Sequence, residues 1–118
     1  MARWYRVFGS LDTAPALAVE PPLALECFSA DEDGIRAELD SWAAFLETGD
    51  GPHAVPLMER AIQTRILFTL HDPTEDEFER DCVALCRQIA HVTAGFYQID
   101  DIGFFDADGT LLVNESEN

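Results

Sequence analysis

The chain has 118 residues, 47% of them hydrophobic, and sets 23 acidic side chains against seven basic ones, for a net charge of −16 at neutral pH. That size and apolar content fit one domain with a real core and argue against disorder. A field of that sign repels phosphate backbones and anionic lipid, so neither nucleic acid nor a membrane surface is an expected partner.

All seven basic residues are arginine and the chain has no lysine. The acidity reads either as a solubility habit or as complementarity to a basic protein partner, which would speed association and make it salt-sensitive. No run approaches the roughly 20 apolar residues that span a bilayer. Residues 1–10 have arginines but no apolar stretch after them, so no secretory leader is expected. Cys27, Cys82 and Cys86 make an odd count, which suits free thiols in a reducing compartment and a cytoplasmic location.

In chain order, Trp4–Phe8 is aromatic and β-branched and reads as a strand ended by Gly9-Ser10. Residues 11–22 carry three prolines and read as a loop, with room for one helical turn after Pro15. Leu23–Phe28 is a second strand. The next element is a helix, with a Ser29-to-Glu32 capping box, an apolar stripe of Ile35, Leu39, Trp42 and Leu46, and Gly49 as its stop. Pro56–Ile62 reads as a short helix, and Thr64–Leu70 as extended. A second main helix is expected from the capping sequence Asp72-Pro73-Thr74-Glu75, with a stripe of Phe78, Cys82, Leu85, Cys86 and Ile89 and Gly95 at its end. Three extended runs close the chain: Phe96–Ile99, Gly103–Phe105 and Thr110–Val113.

The expected architecture is one α+β domain over 1–118, with 114–118 as a frayed tail. Two main helices would cover one face of a four- to five-stranded, largely antiparallel or mixed sheet, for which a ferredoxin-like layout is the nearest analogy. If both helices cross between parallel neighbours, Asp31, Glu32 and Asp33 share an acidic rim with Glu75, Asp76 and Glu77. Phe104 and Phe105, adjacent in a strand, point to opposite faces. One ring would then lie on the uncovered face, as a homodimer interface or a ligand platform.

The segment Phe104-Phe105-Asp106-Ala107-Asp108-Gly109-Thr110 resembles the first motif of the haloacid dehalogenase superfamily. The resemblance implies Asp106 as nucleophile, Asp108 as acid/base and a Mg²⁺ ion between carboxylate and phosphate. It covers only residues 104–113; nine residues follow Gly109, and the chain lacks the lysine that such a site uses. Asp and Gly in this order suit a tight reversal, so the segment reads as a hairpin turn. Asp106 and Asp108 are left as weak candidates for a divalent metal, together with Asp100 and Asp101. An EF-hand reading of the same residues has Phe104 where its first ligand should stand. Cys82 and Cys86 fall on an apolar stripe and read as core and not as zinc ligands.

No catalytic residue and no cofactor is assigned. The expected function is a non-catalytic acidic interaction domain with a basic protein partner, of the inhibitor or immunity type. The alternatives are a Mg²⁺-dependent enzyme or small-molecule-binding domain using the sheet face or acidic rim, and a purely structural homodimer.

Overall fold

A computed structural model describes residues 2–115. Nine elements follow one another: β1 (Arg3–Gly9), β2 (Ala24–Ser29), α1 (Ile35–Glu47), α2 (Ala54–Ile62), β3 (Ile66–Asp72), α3 (Glu79–Val92), β4 (Phe96–Ile99), β5 (Gly103–Asp106) and β6 (Leu111–Asn114). The strands form one sheet in the order β2-β3-β1-β4-β5-β6, every neighbouring pair antiparallel. The α+β class therefore holds, with six strands in the sheet where four to five were expected; the short helix read at Pro56–Ile62 forms as α2.

The helices do not share one face. Alternation along β1 sends Phe8 to one side of the sheet and Tyr5 and Val7 to the other. Phe8 joins Leu67, Phe96, Phe104 and Val113 under α1 and α2. Tyr5 and Val7 join Phe68, Leu70, Tyr97 and Ile99 under α3, where Cys82, Cys86 and Ile89 meet them. The result is a three-layer sandwich, and the one-face ferredoxin-like layout is corrected. β3 foreshadows it: Ile66–Leu70 is buried without a break, as a strand covered on both faces must be. The aromatic face expected to lie open is closed in the same way. Phe104 is fully buried, and Phe105 is half-buried, stacked 5.1 Å from Tyr97 on the α3 side.

β3 and β4 are both antiparallel to β1 and so parallel to each other, with β1 between them and α3 as the crossover. β1 and β2 are related in the same way about β3. Their connection stays extended, with Pro15, Leu17 and Val19 partly buried and Ala16, Ala18 and Glu20 exposed; no helical turn forms there. Leu17 and Val19 add to the α3-side core.

Both capping sequences act ahead of their helices. The Ser29 N–H donates to Glu32 Oε2 at 2.6 Å and the Asp31 N–H to Ser29 Oγ at 3.2 Å, but this closes a turn, and α1 starts only after Gly34 at φ +85°. Asp72 ends β3; its Oδ1 accepts from the Thr74 N–H and hydroxyl, and α3 begins at Glu79 after Asp76 at φ +67°. At the far end of α3, Ala94 takes the left-handed position, at φ +52°, in place of Gly95. Gly95 serves a different need: a Cβ there would lie 2.1 Å from the Phe8 carbonyl oxygen.

Candidate interaction site

The strand registers place the expected site residues. Ser29 and Gly9 both pair with Ile66, so Asp31, Glu32 and Asp33 leave the sheet at that end. Glu75, Asp76 and Glu77 follow Asp72, which pairs with Arg3 at the opposite end. Six strand steps separate the two, on the order of 20 Å. The shared acidic rim does not form, because α1 and α2 return the chain to the end it left. At the second cluster Asp76 meets Arg3 at 3.7 Å.

Asp106 and Asp108 lie on the β5–β6 hairpin. The Asp106 N–H donates to the Thr110 carbonyl at 2.8 Å and the Gly109 N–H to the Asp106 carbonyl at 2.9 Å. Each carboxylate turns back on its own loop: Asp106 Oδ1 accepts from the Ala107 N–H, and Asp108 Oδ1 from the Thr110 N–H, both at 2.9 Å. That bond is the main reason the exposed Asp108 carboxyl is held below its usual range.

The polar chemistry gathers elsewhere, on the face shared with α1 and α2. Three cross-strand rows change character along the strands. The row Phe28, Leu67, Phe8, Phe96 lies toward the end where α2 returns to β3, and is apolar. The next row runs Glu26, Thr69, Arg6, Gln98, Phe104 and Val113; the third is Ala24, His71 and Trp4. The helices cover the apolar row and the β5–β6 end of the polar one. They leave uncovered the corner where β2, β3 and β1 meet.

Arg6 marks the boundary. Its Nη1 donates to Gln98 Oε1 at 2.9 Å and to Asp100 Oδ1 at 2.6 Å, its Nε to Glu38 Oε2 at 3.4 Å, and its guanidinium lies 5.0 Å over the Trp42 ring. The Gln98 amide donates in turn to Asp100 Oδ1 and Glu115 Oε1, each at 2.9 Å. One cation thus answers three carboxylates. Burial pushes the Glu115 carboxyl above its usual range against the pull of the Gln98 bond, and Asp100 and Asp101 push the same way.

Beyond Arg6 opens a groove of about 250 Å³ lined by Trp4, Arg6, Glu26, Phe28, Glu38 and Thr69. Trp4, 38% exposed, supplies the groove's aromatic wall and is itself stacked on His71, with ring centroids 4.2 Å apart. Glu26 is exposed and has no hydrogen-bond or ion-pair partner among the described residues. A larger hollow of about 430 Å³ runs along the outside of α3 between Arg80 and Arg87, with only Glu79 as a further polar lining residue. Fewer polar groups converge there than in the groove.

None of the groove residues was singled out as a site from sequence. The available signal was parity: Trp4 and Arg6 share a strand face with Phe8, and Thr69 and His71 share one with Leu67. A second signal was charge, since no basic residue stands between Arg6 and Arg36, a stretch holding Asp12, Glu20, Glu26, Asp31, Glu32 and Asp33.

Comparison with protein-family models, with curated proteins and with solved structures returns no match to this chain. No helix among the described residues is long and apolar enough to cross a membrane.

Proposed function

We propose that this protein is a non-catalytic acidic interaction domain that binds a basic protein partner, in the manner of an inhibitor or immunity-type protein, with the Trp4 groove as its anchor site. The observation that carries the reading is the exposed Trp4 ring, stacked on His71 and set beside Glu26 and Glu38. A guanidinium or ammonium group entering there meets an aromatic face and the Glu26 carboxylate, unpaired among the described residues, with Glu38, which Arg6 already engages, also lining the groove. An aromatic anchor of this kind supports ~2 kcal/mol of binding when it fills the centre of an interface, and cation–π attraction adds ~0.5–2 kcal/mol. The net charge of −16 would steer such a partner from a distance.

The direct test is titration with tri-arginine peptide, followed by backbone and indole NMR shifts. The expected result is a cluster of shifts at Trp4, Glu26, Phe28 and Thr69. Affinity should fall about tenfold in Trp4→Ala, one factor of ten being about 1.4 kcal/mol, and steeply as salt rises. Shifts scattered over the acidic surface and indifferent to Trp4→Ala would remove the groove from the account.

A further inference from the structure

The groove alone is too small for a stable interface, which takes roughly 800 Å² from each partner. What lies beside it is the free edge of β2. In an antiparallel pair, residues alternate between exchanging hydrogen bonds with the neighbour and pointing their backbone groups away. The Ala30 N–H donates to the Arg65 carbonyl at 2.9 Å, so 30 is of the bonded kind. Counting back by two along the register, Phe28, Glu26 and Ala24 also bond to β3. Ser29, Cys27 and Leu25 therefore aim their N–H and C=O groups outward. Ser29 is stopped by the Glu32 carboxylate, and at the other end the Leu23 N–H turns back to the Glu20 carbonyl. Between those stops, Leu25 and Cys27 present a short open template on an edge strand.

We infer that β2 takes an added strand from the basic partner, pairing its backbone with Leu25 and Cys27 and reaching Glu26 and the Trp4 groove with alternate arginine or lysine side chains. This rests on the proposed function and names how the partner is held. Charge selects the occupant. Glu20, Glu26, Asp31, Glu32 and Asp33 border this edge with no ion pair to any arginine among the described residues. A second copy of the chain would bring the same carboxylates against them, so the edge disfavours its own kind. A basic extended segment meets no such repulsion. Its backbone supplies affinity, and its alternate side chains supply specificity, one row on the side of Glu26 and Phe28 and the other on the α3 side with Leu25 and Cys27.

The probe is an acetylated, amidated hexapeptide of sequence Thr-Arg-Val-Arg-Val-Thr, compared with two versions N-methylated at alternate positions so that one edge or the other loses its donors. One methylated version should bind about tenfold more weakly than the parent and the other about equally, because only one peptide edge faces β2. The amides of Leu25 and Cys27 should exchange about tenfold more slowly in the complex. Cys27→Pro removes an outward N–H that the β3 ladder does not use, a position where an edge strand tolerates proline. It should weaken the hexapeptide about tenfold while tri-arginine binding stays within about twofold. Equal binding of both methylated peptides to the native protein, or unchanged exchange at Leu25 and Cys27, overturns strand addition and leaves the groove reading standing. A β2–β2 dimer in sedimentation analysis also overturns it. Loss of the Trp4→Ala effect on tri-arginine sinks the groove reading instead.

Discussion

Replacing Arg6 by alanine tests whether the polar row is held by its single cation. The side chain is only 17% exposed and its Nη1 sits 2.6 Å from Asp100 Oδ1. A charge-assisted bond of this kind is worth about 1.5–3 kcal/mol. The Glu38 pair, at 3.4 Å and with Glu38 37% exposed, adds no more than about 0.5 kcal/mol. Stacking over Trp42 adds ~0.5–1 kcal/mol. Solvent reaches Asp100, so the lower half of the sum applies, about 2–3 kcal/mol, or a fall in Tm on the order of 10 °C for a chain of this length.

The loss should also depend on pH in a defined direction. Without the guanidinium, Glu115 loses the one cation that opposes the burial holding its carboxyl up, and its folded-state affinity for protons rises further. The penalty is then full at about pH 7 and shrinks as pH falls through the carboxylate range, near about pH 4.5. Urea unfolding followed by tryptophan fluorescence and far-ultraviolet circular dichroism at both pH values measures it. A variant within about 0.5 kcal/mol of the native protein at neutral pH, the range of an ordinary surface substitution, would refute the reasoning. So would a penalty that acid leaves untouched.

Two further substitutions probe the same framework. The raised carboxyl of Glu115 means that, between its ordinary value and the raised one, the folded chain holds more proton than the unfolded chain, so this group's contribution to stability falls as pH rises through that window. Glu115→Gln keeps an acceptor for Gln98 without the charge, so it should melt higher than the native protein at pH 7 and converge with it in acid; parallel Tm curves across pH would contradict this. Gly95→Ala should cost about 3 kcal/mol or more, since its Cβ would fall 2.1 Å from the Phe8 carbonyl oxygen where β4 starts beside β1; chemical denaturation reads the loss directly, and a near-native midpoint would show that the strands can separate cheaply.

The strands were legible because their residues announce them. Trp4–Phe8 and Phe96–Ile99 are aromatic and β-branched, and Asp-Gly marks the β5–β6 reversal. Layering was harder to read. In Thr64–Leu70, the residues Thr64, Ile66, Phe68 and Leu70 alternate with Arg65, Leu67 and Thr69, a period that suggests two faces of different character. Leu67, however, is fully buried in the α1–α2 core, and the decisive sign was the unbroken apolar run and not its period. The helix starts were misplaced for a local reason. Ser29-x-x-Glu32 and Asp72-x-Thr74 make real side-chain-to-backbone bonds, but the same bonds stabilise turns. Left-handed residues at Gly34 and Asp76 then delay each helix. The groove is not legible in sequence because Trp4 and His71 lie 67 residues apart and only the β1–β3 register makes them neighbours. Arg6 was hidden in a strand that otherwise reads as plain core.

Whether the acidity serves solubility or recognition turns on where the cations sit. Here the arginines are mostly committed: Arg3 to Asp76 and Glu79, Arg6 to Asp100 and Glu38, Arg36 to Asp40, Arg60 to Asp106 and Arg65 to Asp12. Arg87 Nη2 donates to the Asp108 carbonyl. None of them lies in the sequence between Arg6 and Arg36, the segment that builds β2 and both its flanks. Screening at physiological salt reaches roughly 8 Å, so distant cations do little to neutralise that edge, and the nearer Arg6 and Arg65 are held by Glu38, Asp100 and Asp12. An open backbone template would ordinarily invite pairing with other copies. On the proposed reading, the carboxylates that ring this one repel its own copies and favour a strand of opposite charge.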